Sequence, residues 1–234
     1  MPRRASLLST LHRELSRVAD PKRAPAMQAY MKSTMPYLGV SAVPMRQACR
    51  RVFTSAAFSS RAVWAREVLS VWRGARFREE RYAAIELTGH KVSRPFQTLA
   101  SLPLYEEIIV TGAWWDYVDA VAAHRIGPLL SAYPAPMERT MLRWSRDEDM
   151  WKRRSAIISQ ITFKGATNLA LLYACIEPSL SSREFFLRKA IGWALRSYAW
   201  TDPGEVVRYV RAHDGELSPL SKREALKNVA GRAR

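Results

Sequence analysis

Cysteine is scarce in this sequence. Cys49 and Cys175 are the only two in 234 residues, and neither has a Cys or His at metal-ligand spacing. A disulfide framework and a zinc site are therefore not expected, and Cys175, inside an apolar run, reads as a small buried hydrophobe. Histidine is nearly as sparse. His12, His90, His124 and His213 are scattered, with none placed as a ligand or general base. Long apolar runs are missing as well. The longest, near Ala166–Ile176, is interrupted by Thr167 and Asn168 and falls short of the roughly 18–20 residues a membrane span needs. The basic start, Met1-Pro2-Arg3-Arg4, leads into no apolar stretch of signal-peptide length. A soluble, intracellular chain with no membrane partner is expected.

Acidic residues are few: 21 Asp and Glu stand against 37 Lys and Arg, a net charge of +16. This excess points to an anionic partner. Twenty-nine of the cations are Arg, which can grip phosphate bidentately. Catalytic signatures are also wanting. The chain has no P-loop, no G-x-G-x-x-G, no G-x-S-x-G, no H-E-x-x-H and no carboxylate cluster for a Mg²⁺ nuclease. Neither a metal nor a cofactor is expected. Nor is there a run of alternating β-branched residues bounded by hairpin turns, so strands are not predicted.

What remains is helical periodicity. Leu7, Leu8, Leu11, Leu15 and Val18 recur at helical spacing behind Ser6 as a cap. Further stretches are predicted at 60–72, 79–92, 103–111, 114–124, 137–145, 147–163, 165–176, 182–199, 203–212 and 219–230, with prolines between or at their starts. Helix pairs recur roughly every 35–45 residues, the spacing of a HEAT-type solenoid. The expected fold is all-α: one domain over residues 1–234, a curved HEAT-like helical-repeat solenoid with a basic concave face.

Three segments could carry chemistry. In Trp114-Trp115-Asp116-Tyr117-Val118-Asp119, Trp115 and Asp119 lie four apart and share a helix face. An aromatic ring beside a carboxylate suits a cationic ligand; alternatively, the tryptophans are core and an aspartate caps a helix or pairs with an Arg. In Trp151-Lys152-Arg153-Arg154, three consecutive cations cannot all face one way. They offer either one cation to a groove or a solvated face. In Lys189-Ala190-Ile191-Gly192-Trp193, a mid-helix glycine costs about 1 kcal/mol relative to Ala, so another backbone or a ligand approaches closely there.

Together these segments resemble the AlkD-like family of alkylpurine DNA glycosylases, HEAT-like-repeat DNA alkylation repair proteins. The likeness runs from about residue 10 to about 230. It also takes in Tyr30-Met31, Leu38-Gly39-Val40, Glu80-Arg81-Tyr82, Phe185-Phe186 and Leu217-Ser218-Pro219. The resemblance implies a monofunctional glycosylase acting in base excision repair. It hydrolyses the N-glycosidic bond of N3- or N7-alkylated, cationic purines in duplex DNA and leaves an abasic site. By matching position, Asp119, Trp115 and Trp193 become the catalytic candidates. Arg154, Tyr30 and Lys189 become the DNA-binding ones. Ser41-Ala42-Val43 replaces polar residues found in some relatives. A monomer in the cytoplasm, on the nucleoid when bound to DNA, is expected. The alternative is a non-catalytic HEAT-like protein that recognises bent or branched DNA and does not need Asp119.

Overall fold

The computed structural model describes residues 6–229, so the basic start and the last residue of the predicted 219–230 helix lie outside it. Among the described residues there are fourteen α-helices and no strand, the helical-repeat architecture expected. The chain divides into two compact units, one up to Leu104 and one from Tyr105.

The N-terminal unit holds α1 (Leu7–Ser16), α2 (Ala24–Tyr30), α3 (Ala42–Thr54), α4 (Arg61–Gly74) and α5 (Arg78–Gly89). Ser6 caps α1 as anticipated, its hydroxyl accepting from the Ser9 N–H at 3.1 Å. Short α2 escapes the sequence reading because it buries no residue and so carries no apolar stripe. Two carboxylates at the start of α5 tie down its surroundings. Glu79, fully buried, accepts from the N–H groups of Leu38, Gly39 and Val40 at 2.9–3.0 Å. Glu80 accepts from the Arg76 and Phe77 N–H groups and from His12 Nδ1. Gly39 has φ +84°, and a Cβ there would sit 1.9 Å from the Asp20 carbonyl oxygen. Leu38-Gly39-Val40 is thus a buried anchor of its loop.

The boundary falls within α6 (Leu102–Gly112). The C-terminal unit continues with α7 (Trp115–Val121), α8 (Gly127–Ala132), α9 (Pro134–Trp144), α10 (Met150–Ile158), α11 (Leu169–Ile176), α12 (Phe185–Tyr198), α13 (Pro203–Ala212) and α14 (Pro219–Leu226). Helices α10, α12 and α14 pack side by side as one layer. In the second layer α11 packs on α9, and Tyr173 of α11 stacks on Tyr209 of α13. A π-turn over Ala122–Ile126 joins α7 to α8. Its cause is Pro128, which lacks the N–H that a regular helix would donate to His124. Helix α10 is shorter than the periodicity predicts. It stops at Ile158, and the Gln160 side chain then ties the following loop to both backbone groups of Asn168.

Gly192 is explained by packing. A Cβ there would lie 2.4 Å from Glu224 Cβ and 2.9 Å from the Ser221 carbonyl oxygen, both on α14. Gly192→Ala gains helix propensity of about 1 kcal/mol but must push a backbone aside, an overpacking cost of about 1–3 kcal/mol. A lower melting temperature is expected for this variant; an unchanged or higher one would show that α14 can move away freely.

Candidate nucleic-acid site

The site is built where α7, α10 and α12 of the C-terminal unit meet. Before α7 the chain passes through Ala113 at φ +43°, a left-handed conformation that costs a non-glycine residue about 1 kcal/mol. Trp114 follows in extended conformation and α7 begins at Trp115. The two tryptophans therefore diverge. Trp114 joins an aromatic cluster, its ring 5.4 Å from Phe186 and 6.4 Å from Trp151, with Trp151 and Phe186 at 5.0 Å. Its indole N–H is buried with no partner among the described residues. Trp115 is half-buried and makes no ring contact or hydrogen bond among the described residues. One helical turn on, Asp119 lies on the same face of α7.

Asp119 is held by Arg154 of α10. Nε donates to Oδ1 and Nη2 to Oδ2, both at 2.7 Å, a bidentate pair. Arg154 Nη1 donates to the Phe186 carbonyl oxygen at 2.6 Å, fixing the guanidinium to the start of α12. Arg154 is 4% exposed. Burial pushes the Asp119 carboxyl above its usual range, the Arg154 hydrogen bonds and charge pull it down, and nearby Asp116 adds to the upward push.

The three consecutive cations separate as helix geometry requires. Lys152 bridges Glu106 at 2.6 Å and Asp147 at 3.2 Å. Arg154 takes Asp119. Arg153 is half-exposed, its Nε buried with no partner among the described residues. The resemblance makes Arg154 a DNA-binding candidate; three of its five N–H donors are directed inward, which leaves two for a further ligand.

Trp193 stands on α12 seven residues beyond Phe186, two turns or about 10.5 Å along the same face. It is half-buried against the core of this unit. Lys189, one turn before it, pairs with Glu224 of α14 at 3.0 Å, and Arg196 binds the other oxygen of Glu224. Phe185 is 56% exposed beside Phe186. Tyr30, in the N-terminal unit, is 77% exposed at the end of α2. The structure thus joins Asp119 directly to Arg154, sets Trp115 one turn away and places Trp193 on the helix that braces Arg154. The Phe186 carbonyl is the member that sequence reasoning missed, and a backbone acceptor leaves no residue-type signal.

The family described as DNA alkylation repair enzyme matches residues 11–229 of this chain. A solved structure described as a predicted DNA alkylation repair enzyme from Enterococcus faecalis superposes with a TM-score of 0.75 and 28% sequence identity. The match covers 91% of this chain and 97% of that one. No curated protein matches. No helix among the described residues is long and apolar enough to cross a membrane.

Proposed function

The chain belongs to the DNA alkylation repair enzyme family, and on that premise we propose that it is a DNA glycosylase for N3- and N7-alkylated purines in duplex DNA. The observation that carries this reading is the Asp119 carboxylate, mostly buried and gripped bidentately by Arg154, with Trp115 one turn away.

An N3- or N7-alkylated purine carries a formal positive charge. When its N-glycosidic bond breaks, both bonding electrons leave with the base, which departs neutral and needs no general acid. The deoxyribose is left oxocarbenium-like. Asp119 stabilises that charge and takes a proton from the water that adds to C1′. Trp115 and Trp193 lie against the sugar and attract the cation through their ring faces. Arg154 keeps Asp119 an anion despite burial, and its two remaining N–H groups are available to a phosphate. Simple hydrolysis follows, leaving an abasic site and an intact strand.

The test is incubation with methylated duplex DNA and analysis of free bases and strand breaks. Release of methylpurines without strand cleavage is expected. Binding with no release would defeat the reading in favour of a non-catalytic DNA-binding protein.

Affinity for the duplex comes from cations with no anion of their own. Arg46 and Arg50, four apart and exposed on α3, have no acidic partner among the described residues. Each phosphate contact contributes about 0.9 to the salt slope. Arg46→Ala with Arg50→Ala is expected to lower the slope of log K against log salt by about two contacts' worth. Lys189→Ala should lower it by less than one, because Glu224 already neutralises that charge. Equal effects per residue would contradict this division.

A further inference from the structure

In the C-terminal unit, the layer that does not carry Arg154 has a cleft of about 320 Å³ between α11 and α13. Ala170 and Ala174 form part of its wall. Tyr173, Glu177, Tyr209 and His213 supply its chemistry. Three rings run in a row: Tyr173 stacks on Tyr209 at 4.2 Å, and Tyr209 meets His213 at 4.4 Å. Tyr209 is only 3% exposed, yet its hydroxyl makes no hydrogen bond among the described residues. The phenol is thus free to meet a ligand in the cleft that Tyr209 lines.

The charges around it favour a cation. Arg208, at the rim, gives its charge to Glu205 through two 2.6 Å hydrogen bonds, and Glu205 also accepts the Tyr173 hydroxyl at 2.5 Å. Glu205 is thereby held down at about 2. Glu216 Oε1 accepts from His213 Nδ1 at 3.1 Å. Glu177 is exposed and has no cation or donor among the described residues. Burial pushes the Tyr209 phenol upward and the charges of Glu177 and Glu216 add to that push; Glu177 lines the same cleft as Tyr209. In a chain of net charge +16 this is a locally acidic, aromatic-walled pocket.

We propose that the cleft binds an organic cation, an alkylammonium or alkylguanidinium group. Its N–H donors go to the Tyr209 hydroxyl oxygen and the Glu177 carboxylate, and its carbons lie along the rings, where cation–π attraction adds to the charge. Two sources carry this chemistry: a free polyamine, or an Arg or Lys side chain of a protein partner. The site is independent of the base-release reading and uses none of its residues.

Calorimetric titration of the full chain tests it, with methylguanidinium, spermidine and N-acetylarginine amide as probes and uncharged methylurea as the control. Saturable binding of the cations, and none of methylurea, is expected. Glu177→Gln should weaken it about tenfold and Tyr209→Phe several-fold, while Glu148→Gln, at an exposed acid outside this cleft, changes nothing. Melting temperatures establish that the variants are folded. Tighter binding of spermidine assigns a free polyamine, and tighter binding of the arginine amide assigns a side chain. Absence of saturable cation binding, equal binding of methylurea, or equal losses from Glu148→Gln and Glu177→Gln would overturn the proposal. Base release by Glu177→Gln should match the parent, so failure here is distinguishable from failure of the glycosylase reading.

Discussion

Asp119→Asn is expected to slow release of alkylated purines by about 10²–10³, the usual cost of losing one preorganised electrostatic contact to a transition state. Asparagine keeps the size of the side chain and one acceptor oxygen but not the charge. Because Arg154 is 4% exposed and bound to both carboxylate oxygens, the variant also leaves a buried cation without its counterion. Breaking a buried pair costs about 3–5 kcal/mol; the retained oxygen keeps one hydrogen bond, so a loss near the lower end is expected in thermal unfolding. Lost activity alone therefore does not separate a catalytic carboxylate from a structural one. The lesion does. A purely structural defect lowers excision of every lesion by the same factor. Loss of charge stabilisation lowers it most for lesions with the more stable glycosidic bond. DNA affinity should hold or rise, since a carboxylate near phosphates has been removed. Undiminished excision by folded Asp119→Asn, measured well below its melting temperature, would sink the mechanism.

How far the sequence is legible depends on what kind of signal each feature leaves. The helices with a buried stripe are readable from period alone, as Leu11 and Leu15 of α1 illustrate. Helix α2 buries nothing and is invisible to that reading. The pairing of Asp119 with Arg154 spans 35 residues. Helical spacing links Asp119 only to Trp115, so the sequence raises an Arg partner as one possibility without naming it. Trp114 and Trp115 are indistinguishable as letters. The left-handed turn at Ala113 sends the first into the cluster with Trp151 and Phe186 and leaves the second on α7. Gly192 looks equally like a ligand contact or a packing contact until α14 is seen against it. The run of cations misleads in the same way. Its charge suggests a groove, but Glu106, Asp147 and Asp119 take two of the three.

Arg154→Ala should act on catalysis through Asp119. In the parent, the Arg154 hydrogen bonds and charge oppose the upward push of burial and of Asp116 on the Asp119 carboxyl. Without Arg154 only burial and Asp116 act on it, so that carboxyl rises further. Two consequences have opposite signs with pH. Activity needs the anion, so base release by the variant should climb as pH rises through the new value, over a range where the parent is flat. Stability moves the other way. A carboxyl raised above its unfolded value binds its proton more tightly in the native state, so stability is greatest below the unfolded value of about 3.9. It falls as pH rises towards the folded value and levels off beyond it. Removal of one partner from a buried pair also costs about 3–5 kcal/mol at neutral pH, visible as a lower melting temperature. Arg154→Lys keeps a charge but not the planar fork, and should restore the flat pH profile more fully than it restores the rate. If Arg154 acts only by binding a phosphate, Arg154→Ala will lower the salt slope by about 0.9, and the pH profile of excision will match the parent. A pH profile that moves with little change in salt slope identifies Arg154 as a positioning residue for the Asp119 carboxylate.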